Sequence, residues 1–277
     1  MTDQHGVPTA AQREVYTQRD NPAFDAAMTA RTADREAAFF LPHLRPGMRL
    51  LDVGCGPGSI TLGLGEVVAP GEVVGVDLRP EVVEQARAAA AQRGIGNVRF
   101  EIGSAYDLPF PDASFDVAFA HIVLMHLREP ARALAEVRRV LRPGGVAGVC
   151  DLDYGAVLVY PLTPLREQYL ALRSRVRQHN GGNVFLGRTH RRLLLDAGFA
   201  RTEAGATVNC AGTLEGTRRM VAFHKAQLPS LAQTALQEGW VDQATVDAMA
   251  ADLDAWAERP DAFSLEAHCH AVGWVGE

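Results

Sequence analysis

The chain has 277 residues, of which 47% are hydrophobic and 22% are charged. This composition is typical of a globular protein that buries one good core, and it argues against intrinsic disorder. The formal net charge of −6 argues against a general nucleic-acid binder, because phosphate binding needs a concentrated basic face.

Neither a membrane span nor a secretion signal is expected. The longest apolar runs, such as residues 146–150, have the length of strands and fall far short of a bilayer. The first residues lack a basic region followed by an apolar one. The cysteines lie far apart and form no CxxC pair, which indicates a reducing cytoplasm. They are Cys55, Cys150, Cys210 and Cys269.

The first half of the chain alternates between strands and helices. Residues 1–41 predict an N-terminal helical cap, with Asn21 as an N-cap and Pro22 at the first helical position. Residues 42–154 predict a parallel sheet with helices on both faces. The predicted strands comprise residues 48–53, 73–76, 98–102, 115–120 and 146–152, and the predicted helices end at Val68, run from Pro80 to Gly94 and begin at Pro130.

The pattern changes after residue 154. Residues 155–188 contain an amphipathic helix capped by Thr163, and residues 212–258 are helical again. These two insertions predict a lid over a binding site or a homodimer contact. We further expect a short helix at 189–197, a strand at 199–210 and a last strand within 261–275, all in one domain spanning residues 1–277.

A glycine-rich loop, Leu-Asp-Val-Gly-Cys-Gly-Pro-Gly at residues 51–58, follows the first predicted strand. Gly54, Gly56 and Gly58 allow positive φ angles in a tight turn and close approach of a ligand to bare backbone. The next helix directs free amide groups at that ligand. Asp77 ends the following strand, where a carboxylate accepts hydrogen bonds from ribose hydroxyls. These features predict a cofactor that contains adenosine.

The glycine spacing separates two kinds of cofactor. A dinucleotide fingerprint has the spacing GxGxxG, in which the third glycine allows close helix packing beneath a pyrophosphate. Here the spacing is GxGxG, and Ser59 stands where the last dinucleotide glycine would fall. The spacing therefore disfavours an NAD-dependent oxidoreductase.

These segments resemble the class I S-adenosylmethionine-dependent methyltransferases, particularly the branch of quinone-biosynthesis C-methyltransferases and natural-product tailoring enzymes. The resemblance covers roughly residues 45–152, in family order, and Asp196–Phe199 looks like the family's entry to its sixth strand. It implies an α/β fold with a Rossmann-like, seven-stranded, mostly parallel sheet whose last strand is antiparallel. The matching segments are residues 51–58, 74–77, 108–110, 114–117 and 141–145.

The resemblance also implies roles for individual residues around S-adenosylmethionine. Asp77 would hold the ribose, and Leu78 would pack on the adenine. Ser104 stands where the family often has an acidic residue, which leaves the adenine contact open between Ser104, Ala105 and Tyr106. The methionine end would be held by Asp52 and by the backbone of Gly54, Cys55, Gly56 and Gly58, with Tyr16 closing over its carboxylate.

Methyl transfer is an in-line displacement, so positioning supplies much of the rate and a base is useful without being obligatory. The candidate catalytic residues are His121, Asp151 and Asp153. By the resemblance, His121 lies at the junction of cofactor and substrate. Asp151 and Asp153 are two apart at a strand end, so both can face one side. His126 is interpreted as a packed or surface histidine.

No metal site is predicted. Asp151 and Asp153 could begin a magnesium site, but no third ligand is evident. In His268-Cys269-His270 the histidines share one face of a strand and the cysteine points away, so the three cannot easily converge on zinc.

The predicted function is methylation of a small, partly apolar molecule in the biosynthesis of a secondary metabolite or quinone-like compound. Aromatic residues in the two insertions suit enclosure of such an acceptor. The alternatives are a cofactor-binding regulatory protein without transfer activity, an RNA or protein methyltransferase, and an NAD-dependent oxidoreductase. An RNA or protein substrate would call for a basic, open groove.

Overall fold

The computed structural model describes residues 15–277, so residues 1–14 of the predicted N-terminal cap lie outside the described part. Seven strands form one sheet in the order β3-β2-β1-β4-β5-β7-β6, and β7 alone runs antiparallel to its neighbours. The expected mostly parallel, seven-stranded sheet is thereby confirmed. The strands are β1 Leu50–Val53, β2 Val73–Asp77, β3 Val98–Ile102, β4 Phe115–His121, β5 Leu141–Tyr160, β6 Arg201–Ala211 and β7 Phe263–Trp274.

The register of the parallel strands brings three predicted site segments together. Val53 of β1 lies beside Val76 of β2 and Ala120 of β4. The residues that follow these three positions therefore share one edge of the sheet. This is the carboxyl edge, where ligands bind in open α/β sheets.

Helices cover both faces of the sheet. An apolar cluster joins α3 and α4 to one face, and a second joins α5 and α7 to the other. The predicted helix boundaries hold at the N-caps Asn21 and Thr163, whose side chains accept hydrogen bonds from backbone amides, and at left-handed Gly94. The helices are α1 Pro22–Met28, α2 Ala33–Glu36, α3 Ser59–Val68, α4 Pro80–Arg93, α5 Pro130–Val140, α6 Pro164–His179, α7 His190–Asp196, α8 Leu214–Gln237 and α9 Gln243–Ala257.

Strand β5 is much longer than predicted. It continues past Leu152 to Tyr160, pairing with β7 after an irregularity between Asp153 and Val157. The prediction stopped early because polar residues and a glycine interrupt the apolar run. Antiparallel pairing with β7 supplies the hydrogen bonds that let this mixed segment stay extended. The predicted insertion 155–188 is thus strand first and helix afterwards.

The helices that follow β5 and β6, namely α6, α8 and α9, form a cap on the sheet, and this cap has its own apolar cluster. Helices α6, α8 and α9 pack around Leu172, Leu231 and Trp256, which are buried, and α1 packs against α8. Of the helices in residues 15–277, none has the length and apolarity needed to cross a membrane.

Candidate active site

The glycine loop turns sharply between β1 and α3. Gly54, Gly56 and Gly58 have φ angles of 74°, 52° and 80°, a region that favours glycine. The amides of Gly54 and Cys55 both donate to the carbonyl of Val76, at 2.7 and 3.0 Å. These amides hold the loop to β2, so they are not free to bind a cofactor as the sequence suggested.

The loop leaves open space at one glycine. A Cβ at Gly54 would collide with Val123, and one at Gly58 would lie 2.7 Å from the Phe100 ring. At Gly56, no atom lies within 4 Å of the position that a Cβ would take. The bare backbone of Gly56 therefore borders the volume that a cofactor could fill.

Asp77 connects this loop to the end of β2. Its carboxylate accepts hydrogen bonds from the amides of Gly56 and Arg79, each at 3.0 Å. Burial raises the pKa of Asp77. The neighbouring Leu78 is 70% exposed, so an apolar surface lies uncovered beside the carboxylate. A carboxylate, bare backbone and an open apolar side chain together suit an adenosine group.

Asp52 is buried beneath the loop and accepts a hydrogen bond from the Thr61 hydroxyl at 2.6 Å. Burial raises its pKa to about 7, against the opposing effect of Thr61. The thiol of Cys55 is also buried, and its pKa lies well above the ordinary value for that reason. A carboxyl group whose pKa lies near 7 readily loses its proton when a positive charge comes close.

The N-terminal segment is tied to this edge of the sheet. The Arg79 guanidinium pairs with Asp25 of α1 at 3.0 Å and lies 5.0 Å from the ring centroid of Tyr16. The Tyr16 ring meets His126 edge to face, with centroids 5.1 Å apart. Burial raises the pKa of Tyr16. Tyr16 therefore lies between the Asp77 region and the adjoining cavity.

That cavity has a volume of about 500 Å³ and lies between the carboxyl edge and the cap. Much of its wall is apolar, with Phe24, Met28 and Phe223 among the lining side chains. Charged residues also reach it. These are Arg31, Arg35, Glu36, Arg173, Arg177, Arg219 and Glu266.

A buried ion pair braces the cavity wall. Arg173 of α6 donates to Glu266 of β7 at 2.8 Å, and His224 of α8 lies 3.6 Å from the same carboxylate. Burial opposes ionisation of Glu266, yet Arg173 and His224 hold its pKa well below the usual range. Burial lowers the pKa of His224 to about 4, so its imidazole is neutral at pH 7.

Arg31 makes no direct ion pair of this kind with the residues that the structure describes, although the Glu36 carboxylate acts on it electrostatically. Within residues 15–277 its guanidinium forms no ion pair, and it lies 5.8 Å from the ring centroid of Phe223. Burial lowers its pKa. An anionic group of a bound molecule would therefore find at the cavity wall a cation that makes no direct ion pair in the described part of the chain.

Comparison with known proteins assigns the family. A sequence profile described as a methyltransferase domain matches residues 44–183, about half of the chain. The chain belongs to the S-adenosylmethionine-dependent methyltransferases. It is 36% identical over 200 residues to an uncharacterised methyltransferase of Schizosaccharomyces pombe, covering 69% of this chain and 71% of the relative. It is 31% identical to the probable methyltransferase ltbC of Aspergillus luteorubrus, covering 97% and 100%.

Solved structures agree on the fold. Phosphoethanolamine N-methyltransferase 2 of Haemonchus contortus, bound to phosphomonomethylethanolamine and S-adenosylhomocysteine, superposes with a TM-score of 0.63 at 16% identity. The match covers 94% of this chain and 58% of that one. The methyl donor of this methyltransferase is S-adenosylmethionine. The alternative prediction of an NAD-dependent oxidoreductase is therefore wrong.

The predicted adenine contacts differ in their surroundings. The Ser104 hydroxyl accepts a hydrogen bond from the Tyr106 amide at 3.2 Å, and Ala105 packs against the core. The Tyr106 hydroxyl accepts a hydrogen bond from the Glu129 amide at 3.2 Å. The Tyr106 side chain is thus directed towards the start of α5, which leaves Ser104 as the better placed of the polar side chains.

Asp151 and Asp153 do not lie at the cavity of this methyltransferase. Asp151 is bonded to His190 at 2.9 Å, and Asp153 forms two bonds of 2.6 Å with Arg188. Because side chains alternate along β5, Leu152 faces the cavity while its two neighbours face the opposite side. The expectation that both carboxylates share one face holds, but that face belongs to the segment before α7, so they are withdrawn as candidate bases.

Two histidines, His126 and His121, line the cavities. His126, interpreted from sequence as packed or surface, lines the large cavity, and burial lowers its pKa to about 3. His121 is buried 3.3 Å from Glu36 and lines a smaller cavity of about 410 Å³. Burial lowers the pKa of His121, whereas the imidazole and Arg31 hold the pKa of Glu36 at about 2 against the effect of burial.

Sequence reasoning missed the charged lining of the cavity. Arg173 and Arg177 lie one helical turn apart, on the face of α6 that also carries the buried Tyr169. Arginines on an otherwise apolar helical stripe were a readable signal, because a buried guanidinium needs a partner. Their partners Glu266 and Gln227 lie in distant elements, and no local pattern could reveal them.

Proposed function

We propose that this methyltransferase methylates a small, partly apolar molecule held in the cavity beneath the cap, within the biosynthesis of a secondary metabolite or quinone-like compound. The observation that carries the proposal is the cavity itself, which is largely apolar and is lined by Met28, whose carbonyl accepts a hydrogen bond from Ser59 just after the glycine loop. A cavity of about 500 Å³ beneath the cap helices does not suit a folded RNA or protein substrate. The four cysteines of the chain are free, which supports a cytoplasmic location of the protein.

The residues present fit the cofactor. Asp77 would hold the ribose hydroxyls, Leu78 would cover the adenine, and Ser104 would reach the adenine edge. Asp52 and the open backbone at Gly56 would hold the methionine end, and Tyr16 would close over it. S-adenosylmethionine supplies an electrophilic methyl group on its sulfonium.

The cap residues orient the acceptor and exclude water. Arg31 would pair with an anionic oxygen, such as a carboxylate or a phenolate, that points into the cavity. His126 is a neutral imidazole at the cavity wall, and it would accept a hydrogen bond from a hydroxyl or amine acceptor and orient it. Enclosure by α1, α6 and α8 would keep water from competing as acceptor.

An acceptor screen tests the proposal. The purified protein is incubated with S-adenosylmethionine and with phenols, carboxylic acids, amines and quinols, and mass spectrometry measures gain of one methyl group. We expect transfer to an apolar acceptor that carries an acidic group, and loss of that transfer in Arg31→Gln. Tight binding of S-adenosylhomocysteine with no transfer to any acceptor would instead favour the regulatory, cofactor-binding alternative.

A further inference from the structure

Three adjacent strands each direct one metal-binding side chain to the same point. His121 is the last residue of β4, Cys150 is its partner on the neighbouring strand β5, and His268 lies on β7. One donor atom from each residue lies within 4.8 Å of the other two, and all three residues are buried. This convergence differs from the triplet at residues 268–270, because only one member of that triplet takes part.

His121 lacks the partners that a buried imidazole needs. Neither of its ring nitrogens has a hydrogen-bond partner of acceptable geometry within residues 15–277. Buried polar side-chain atoms are nearly always satisfied by protein, water or an ion. Because Nε2 faces the Glu36 carboxylate without an aligned hydrogen bond and Nδ1 has no partner among the described residues, His121 can bind one further ligand beside the thiol and the second imidazole.

Neighbouring residues would support a bound ion. The Glu36 carboxylate lies 3.3 Å from Nε2 of His121, an arrangement that orients metal-bound histidines. Nδ2 of Asn209 lies 3.0 Å from Nε2 of His268; with a metal on Nδ1 the Nε2 atom would carry a proton, and the amide would turn so that Oδ1 accepts from it. One thiolate and one carboxylate would also balance the charge of a divalent cation.

The donor set selects the metal. Two imidazoles and one thiol are ligands for zinc, whereas calcium and magnesium prefer oxygen. Donors around tetrahedral zinc lie about 3.4–3.6 Å apart, so the three side chains must close by roughly 1 Å through small rotations. The fourth position would face the smaller cavity, which the same three residues line.

We propose that His121, Cys150 and His268 form a zinc site with one open coordination position. Binding releases the thiol proton of Cys150 to solvent as the Zn–S bond forms. Glu36 and His268 also line the large cavity, so the ion would lie where the two cavities meet. This inference concerns metal binding and stands apart from the identity of the methyl acceptor.

Cobalt substitution tests the site without an activity assay. Metal-free full-length protein is titrated with Co²⁺ and followed by absorption spectroscopy. We expect saturation at one equivalent, a near-ultraviolet thiolate-to-cobalt charge-transfer band, visible bands of four-coordinate cobalt, and displacement of all of them by Zn²⁺. Absence of a saturable charge-transfer band in the wild-type protein would overturn the proposal.

Variants assign the ligands. Cys150→Ser should lose the charge-transfer band, and His268→Ala should weaken Co²⁺ binding at least tenfold. Cys269→Ser is the matched control, since Cys269 neighbours His268 on β7 but faces the opposite side of the sheet; Cys210→Ser controls for the thiol at the smaller cavity. A band that survives in Cys150→Ser, or that disappears in either control, would show that the assignment is wrong. Circular dichroism and S-adenosylhomocysteine binding confirm that each variant is folded.

Discussion

The two halves of the active site are built in different ways. Most of the cofactor half comes from one short stretch of chain, in which β1, the glycine loop, α3 and β2 follow one another, and only Tyr16 and Ser104 are added from outside it. The cavity half takes its lining from α1, α6, α8 and β7, which are separated by most of the chain. A local pattern can specify the first half, whereas the second exists only after the cap has packed on the sheet. The following predictions test this contrast.

The largest expected effect is on the cap. Glu266→Gln leaves the Arg173 guanidinium buried without its counter-ion, and breaking such a pair costs about 3–5 kcal/mol. We expect that loss in the free energy of unfolding measured with urea, while the folded fraction still binds S-adenosylhomocysteine. Glu258→Gln, which removes the exposed partner of Arg218, is the control and should unfold like the wild type. Equal stability of the two variants would show that the buried pair does not brace the cap.

Asp77→Ala tests the cofactor half. The variant leaves the ribose hydroxyls without an acceptor, so we expect S-adenosylhomocysteine affinity to fall by about 1–3 kcal/mol, measured by calorimetry. Asp77→Asn keeps one side-chain oxygen and should lose less. An unchanged affinity in folded Asp77→Ala would refute the assigned role.

Gly56→Ala separates ligand contact from backbone strain. The added methyl group meets no protein atom, but it enters the proposed cofactor volume, so we expect roughly tenfold weaker binding of S-adenosylhomocysteine. Gly144→Ala is a matched control, because Gly144 also has a positive φ and open space around it. Gly144 lies at the start of β5, at the end of the strand far from the site. If both variants bind alike, the methyl at Gly56 does not face the cofactor.

The smallest effect is a pH dependence from Asp52. Its pKa of about 7 exceeds the unfolded value of about 3.9, so the free energy of unfolding should fall as pH rises between them. Cofactor binding should show the opposite trend, since the ionised carboxylate attracts the methionine ammonium. We expect affinity to rise a few-fold through neutral pH and proton release on binding, both absent in Asp52→Asn. A flat wild-type profile would place the ammonium elsewhere.

The same contrast decides which features of the fold and the site could be predicted from the sequence. The positions of the first strands along the chain, the glycine loop and the helix starts at Pro22, Pro80, Pro130 and Pro164 depend on local signals, and the structure bears them out. Strand β5 extends because it pairs with β7. Its apolar run is interrupted, so the sequence alone did not predict the extension. Asp151 and Asp153 share one face as expected, but sequence spacing does not say which elements cover that face, so their place at the cavity was wrongly predicted. The cluster of His121, Cys150 and His268 depends on the register of three strands.

The most direct test is a crystal structure with S-adenosylhomocysteine. The account predicts adenine on Leu78, ribose hydroxyls on Asp77, and the homocysteine sulfur directed into the cavity of about 500 Å³ near Tyr16 and His126. That result would place the transferred methyl group at the mouth of the acceptor chamber. A ligand bound away from Asp77, or a sulfur facing away from the cavity, would contradict the account.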